Sequence, residues 1–328
     1  MRVRCCLFCG MLLLFPVIVA AQRKPPRLPE TVRAEREIAY ADTKNPRQAL
    51  DLFLPKTRKF DKPLPVIAFI HGGGWRNGDK RRGWGQVLRY VESGRYAGVS
   101  IGYRLSGEAK WPAQIHDCKA AIRWIRANAK KYNLDPNRIG VMGTSAGGHL
   151  VAMLGVGGDV PSLEGKLGAH NVISSRVACV VDFFGPSELL TMNNFPSRID
   201  HDAAGSPESL LIGGPIQKHR QKARNASATT HVSKGDAPFL IIHGSKDPLV
   251  PFDQSQRLHR LLRVVKVPST LIKIDGGGHG GFRSRELDSR VRKFFDRHLQ
   301  GAKVEVSDEP IKIAPRKRKR RESRRPGL

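Results

Sequence analysis

Ser145 stands in Gly143-Thr144-Ser145-Ala146-Gly147, directly after the apolar run Arg138–Met142 and before a segment of helical character. A serine at such a strand-to-helix turn sits on a strained backbone that presents its hydroxyl. Flanking glycines let neighbouring elements approach without a Cβ in the way. The start of the following helix adds a positive end. A neutral hydroxyl is a weak nucleophile, so it needs a base, and the base needs an orienting acid. Where a serine occupies this kind of turn, its partners follow in the order acid, then histidine. Asp247 lies in His243-Gly244-Ser245-Lys246-Asp247-Pro248, past the apolar run Pro238–Ile242. His279 lies in Asp275-Gly276-Gly277-Gly278-His279-Gly280-Gly281-Phe282, past the strand-like stretch Ser269–Ile274. Both loops are expected at the carboxyl edge of one sheet, on the side of Ser145.

Competing residues have blander roles. Asp275 ends a strand and suits a turn; Asp182 follows an apolar run and could face the site. His149 falls on the helix after Ser145, while His71 and His243 fall at strand ends, where a satisfied structural histidine is expected. A third element is His71-Gly72-Gly73-Gly74-Trp75, after the apolar run Pro65–Ile70. Acyl transfer builds negative charge on a carbonyl oxygen, and fixed backbone N–H groups stabilise it. Gly73, Gly74 and Ala146 are the expected donors. Trp75 and Tyr103 could line a substrate pocket or simply pack.

The elements that must carry these loops are legible in outline. Pro65–Ile70, Arg138–Met142, Val177–Phe183 and Pro238–Ile242 are short apolar runs suited to strands buried on both faces. Ala49–Leu54 alternates and reads as a half-buried strand ending at Pro55. Ala113–Tyr132 places Ile115, Cys118, Ile122, Ile125 and Ala129 on one helical face, and Asn133-Leu134-Asp135-Pro136 breaks that helix. Phe252–Val264 and Arg283–Leu299 are amphipathic, with Gly301 a stop for the second. Alternating strands and helices indicate a doubly wound, mostly parallel sheet with helices on both faces. Segments 155–175 and 193–234 have weaker patterns and are expected to overhang the site.

At 328 residues, 40% hydrophobic and 26% charged, the chain can bury a full core. Its two ends differ in kind. Arg2 and Arg4 precede the apolar run Gly10–Ala20 and the small residues Val19-Ala20-Ala21, the layout of a secretory signal over 1–21. The alternative is an uncleaved anchor, but Cys5–Ala21 is shorter than the ~20 residues of a spanning helix. With the signal removed, no transmembrane helix is expected. A proline-rich linker covers 22–30, the folded domain 31–301, and a basic, disordered tail 302–328. From Lys312 onward nine basic residues face only Glu322, +8 of the formal +28. Such a block fits attraction to an anionic surface or acidic polymer, or a solvated tail with no partner. Nucleic acid is not expected beside a secretory signal. Cys118 and Cys179, the cysteines left in the mature chain, read as two separate buried thiols, with a single bridge in an oxidising compartment as the alternative.

Taken together, the His71–Trp75 loop, Gly143–Gly148, the stretch His243–Pro251 and Gly276–Phe282 resemble the α/β-hydrolases of the hormone-sensitive-lipase-like group. They are most similar to the bacterial feruloyl and acetyl-xylan esterases, over Ile38–Leu299. The resemblance implies the α/β-hydrolase fold, hydrolysis of carboxylic esters through an acyl-serine, and no metal or organic cofactor. It implies Ser145, Asp247 and His279 as triad, with a small-molecule or polysaccharide ester as substrate and a secreted or periplasmic location. Two other readings are a prolyl-oligopeptidase-like serine peptidase and a non-catalytic cell-surface binding protein that uses the basic tail. The first has no room here for a propeller domain, and the second has no need of a complete triad.

Overall fold

The computed structural model describes residues 28–313, so the expected signal, most of the linker and the basic run at 316–325 lie outside the described residues. Strands β1 (Val32–Ala39), β2 (Ala49–Pro55), β3 (Leu64–Ile70), β4 (Ala97–Ile101), β5 (Leu134–Thr144), β6 (Cys179–Phe183), β7 (Phe239–Gly244), β8 (Ser269–Asp275) and β9 (Ile311–Lys312) form one sheet. Their order is β1-β2-β4-β3-β5-β6-β7-β8-β9. Pairings β1–β2 and β2–β4 are antiparallel; all others are parallel. The helices are α1 (Trp84–Val91), α2 (Ala113–Ala127), α3 (Ala129–Tyr132), α4 (Ala146–Val156), α5 (Pro161–Glu164), α6 (Pro207–Ile212), α7 (Arg220–Asn225), α8 (Asp253–Val264) and α9 (Arg285–Gln300). Among the described residues, no helix is long and apolar enough to cross a membrane.

Strand periodicity explains why the central runs are wholly apolar. Val66, Ala68 and Ile70 of β3 enter one core cluster, with Ile115, Ile122 and Ile125 of α2. Ile67 and Phe69 enter the other, with Val87 of α1 and Phe295 of α9. Alternate side chains thus meet helices on opposite faces, and neither face is left for water. Cys118 and Cys179 fall into different clusters and are unpaired thiols.

Several expectations change. All seven residues of β2 are buried, not half of them, because β2 is an interior strand between β1 and β4. Its polar member Asp51 is satisfied inside: the carboxylate accepts from Glu37 N at 2.9 Å and Trp84 Nε1 at 2.8 Å. The helix expected over Ala113–Tyr132 is split at Asn128 into α2 and α3, and Asn133 ends it in a left-handed conformation (φ 52°). The domain does not stop at Gly301. Gly301 caps α9 with φ 72°, but Ile311-Lys312 then adds β9 to the sheet edge beside β8. Arg290 Nη1 donates to Ser307 O at 3.1 Å and holds the chain between, so 302–313 is an ordered extension and not a loose tail.

The register delivers every candidate loop to one edge. Ile70 lies opposite Gly143, Thr144 opposite Phe183, Phe183 opposite Ile242 and Gly244 opposite Ile274. The chain order reverses at β3, where β4 lies on one side and β5 on the other, leaving a crevice at the carboxyl ends. There is no space for side chains where α4 meets this edge. A Cβ on Gly147 would lie 2.1 Å from Ile70 O, and one on Gly143 would lie 2.2 Å from Gly147 O. Both obstacles are backbone and cannot swing aside. Gly147→Ala should therefore destabilise the domain by at least about 2 kcal/mol in urea unfolding. Gly85→Ala, in open space on α1, should stabilise it by about 0.5–1 kcal/mol.

Candidate active site

Ser145 occupies the turn between β5 and α4 with φ 55° and ψ −121°, a region costly for any residue with a Cβ, by about 1–3 kcal/mol. The turn is locked on both sides. Ser145 N donates to Phe183 O at 2.9 Å, and Ser145 O accepts from His149 N at 2.9 Å. The backbone is thus forced by its neighbours, and the side chain is left facing the crevice.

The other two candidate residues converge on it. His279 Nε2 lies 3.0 Å from Ser145 Oγ, and His279 Nδ1 lies 2.7 Å from Asp247 Oδ2. An Nδ1–H donated to the carboxylate leaves Nε2 free to accept the serine proton. Asp247 is buried, which disfavours its charge, yet hydrogen bonds from His243 and His279 more than offset this and hold its carboxyl well below the usual range. The amides of Leu249 and Val250 donate to Oδ1 at 2.8 and 3.0 Å. His243, expected to be structural, touches the acid directly. Its Nε2 is 3.2 Å from Asp247 Oδ2 and 3.0 Å from Val250 O, while Ser255 Oγ donates to Nδ1 at 2.7 Å. It is a positioning residue for Asp247. Phe184, one residue past β6, packs its ring 4.6 Å from that of His279.

A cavity of about 500 Å³ opens over this triad, with Gly73, Gly74 and Ala146 in its wall. Among the described residues none of these three N–H groups meets a protein acceptor, so all are available to an oxygen at Ser145. Gly73 (φ 124°) and Gly74 (φ 59°) hold conformations that favour glycine, and a Cβ on Gly73 would lie 2.1 Å from Asn77 O.

Trp75 and Tyr103 act from behind. Trp75 reaches the cavity wall but is 1% exposed, and its Nε1 donates to His149 Nδ1 at 3.2 Å. His149 in turn donates from Nε2 to Ala226 O at 2.7 Å. This one imidazole ties the Gly73–Gly74 loop, α4 and the overhanging segment together, and burial lowers its pKa to about 4, so it stays neutral. Tyr103 is not in the cavity. Its ring stacks on His71 at 4.3 Å and its hydroxyl donates to His71 O at 2.9 Å, steadying the loop's first residue. His71 is also kept neutral by burial, at about 4.

The weighed acids separate cleanly. Asp275 pairs with Lys273 at 2.9 Å, away from His279. Asp182 lies buried under the turn, opposite Gly143, and accepts from Gly185 N at 2.9 Å. Of the two weakly patterned segments, 193–234 overhangs the cavity through Ile199, Pro207 and Glu208. Segment 155–175 does not; Glu164 anchors it to Lys119 and Arg123 of α2. Phe184 and Glu208 were not singled out from the sequence, since strand order and the path of the overhang bring them in. Burial raises the Asp182 carboxyl from 3.8 to about 7. A raised value contributes stability below pH 3.8 that is lost as pH rises towards 7. Wild-type unfolding free energy should fall over that window, and Asp182→Asn should flatten the slope by on the order of a few kcal/mol, read from urea titrations across pH.

Comparisons with known proteins agree with this geometry. A family model described as BD-FAE matches residues 50–262, and one described as TAP-like protein matches 217–309. Esterase LipC of Mycobacterium tuberculosis is 32% identical over 256 residues, which is 75% of this chain and 59% of LipC. The chain spans about half the length of the curated relatives it matches. A truncated carbohydrate esterase from gut microbiota superimposes with TM-score 0.74 at 34% identity, covering 82% of this chain and 96% of that one. Esterase B of Lactobacillus rhamnosis gives TM-score 0.69 at 26% identity, covering 84% and 88%. With the mostly parallel sheet and the serine turn between β5 and α4, these similarities lead to one conclusion: the chain belongs to the BD-FAE family and has the α/β-hydrolase fold.

Proposed function

We propose that this chain is a secreted carboxylesterase that works through an acyl-serine intermediate on acetyl or feruloyl esters of carbohydrate. The observation that carries the reading is the unbroken relay Asp247 Oδ2–His279–Ser145 Oγ at 2.7 and 3.0 Å beneath three free amide donors. His279 Nε2 takes the hydroxyl proton as Oγ attacks the ester carbonyl. The amides of Gly73, Gly74 and Ala146 receive the oxyanion. Asp247, held ionised, stabilises the imidazolium that forms. Collapse breaks the bond to the alcohol, which leaves with the proton from His279. Water then gives a proton to the same Nε2 as it attacks the acyl-serine, and collapse breaks the acyl–Oγ bond while that proton passes to Oγ, freeing the acid and restoring Ser145.

The substrate class is supported by the relatives' descriptions, esterases and a carbohydrate esterase among them. The location is supported by the basic start, apolar run and small residues before Gln22. Purified protein should hydrolyse p-nitrophenyl acetate without hydrolysing the matching anilide. Ser145→Ala should lower kcat/KM by at least about 1,000-fold with the fold intact by circular dichroism. Equal rates from the two proteins would reject the esterase reading, and amide turnover would favour a peptidase. Activity on acetylated xylan and methyl ferulate tests the carbohydrate reading, and an N-terminus other than Gln22 on the exported protein would reject the cleavage site.

A further inference from the structure

The overhang places in the cavity wall a carboxylate that acyl transfer does not use. Glu208 follows Pro207 at the start of α6, and Pro207 packs against Gly74: a Cβ on Gly74 would lie 3.4 Å from it. Glu208 is 3% exposed and lines the same cavity as Ser145 and His279. Its Oε2 lies 3.1 Å from Nδ1 of His201, itself 1% exposed, at an angle that leaves both atoms without a formed hydrogen bond. Glu208 Oε1 makes no hydrogen bond among the described residues.

The His201 ring against it is itself anchored from behind. His201 Nε2 lies 3.1 Å from Ser197 Oγ, which lies 3.2 Å from Leu249 O, two residues past Asp247. His201 N donates to Asn193 Oδ1 at 2.8 Å. A buried carboxylate short of donors carries a desolvation cost that an incoming donor relieves. The character of that donor follows from its surroundings. Arg76 and Arg82 line the same cavity and form no ion pair among the described residues, so a cationic ligand would meet like charge. A neutral hydroxyl would not.

We propose that Glu208 is a specificity-determining residue that accepts a hydrogen bond from a free hydroxyl of the ester substrate. This rests on the esterase reading above and adds to it a preference for hydroxylated esters over plain alkyl or aryl ones. The hydroxyl can sit on the alcohol, as in a sugar, or on the acyl group, as in a phenolic acid. Three substrates separate these sources: an O-acetylated methyl xyloside, methyl ferulate and p-nitrophenyl acetate.

In Glu208→Gln, which keeps the size of the side chain, kcat/KM for one hydroxylated ester relative to p-nitrophenyl acetate should fall ~10-fold or more, chiefly through KM, as loss of a hydrogen bond to a charged acceptor implies. A fall for the xyloside assigns the hydroxyl to the alcohol side; a fall for methyl ferulate assigns it to the acyl side. Unchanged ratios for both, whether the rates drop together or persist, would overturn the proposal. Calorimetry reads the same contact without turnover. Binding of the acetylated xyloside or of methyl ferulate to Ser145→Ala protein should weaken ~10-fold or more when Glu208→Gln is added. If wild type cleaves no ester yet this difference in binding holds, the esterase reading fails and the hydroxyl contact stands.

Discussion

The site depends on how closely α4 is set against the strands that flank it. Gly147, the second residue of the helix, lies so near to Ile70 O, and Gly143 so near to Gly147 O, that neither position can carry a Cβ. That contact fixes the height of α4 over β3 and β5 and forces Ser145 into its positive φ between them. It also brings the loop after β3 alongside the serine, since Ile70 and Gly143 are register partners. Backbone placement therefore precedes any side-chain chemistry. The nucleophile and the amides that would receive charge are parts of one rigid junction, so little reorganisation accompanies reaction.

Around that junction, burial sorts the histidines. His71 and His149 are sealed in the interior and kept neutral, which lets His149 accept from Trp75 and donate to Ala226 at once. His243 is equally buried but serves Asp247, sharing one N–H between the carboxylate and Val250 O. His279 alone bridges the carboxylate and the serine while keeping partial access to the cavity. Four imidazoles of one chemical type thus take different roles because their partners differ, not their residue type.

Much of this was legible in the sequence, and the remainder was hidden for identifiable reasons. The apolar runs located β3, β5, β6 and β7, because strands covered on both faces leave no polar alternation to confuse. The same rule misread β2, where Asp51 imitates an exposed position while being satisfied by Glu37 N and Trp84. Ser145, Asp247 and His279 were named from turn chemistry and chain order, and the structure brings all three within hydrogen-bonding distance. Tyr103 could by sequence line the pocket or pack, and its ring packs, stacked on His71. Phe184 and Glu208 carry no local signature. Only strand order and the fold of 193–234 bring them to Ser145.

That last segment leaves the sheet after β6 and rejoins it at β7, and both departure points are fixed by the parallel register. Its ties to the rest of the molecule are apolar and polar together: Leu211, Ile216 and Ala228 are buried in the same core cluster as α2 and α4, His149 bonds to Ala226 O, Trp111 to Asn225, and Ser197 to Leu249 O. The scaffold and the specificity surface thus share one core, although they are distinct stretches of the chain. A different excursion between the same two anchor strands, provided it refilled that core, kept a ring against His279 and supplied a carbonyl for His149, could rewrite which esters fit while leaving the nucleophile untouched. For an engineer, the exchangeable cassette ends at Phe183 and Phe239.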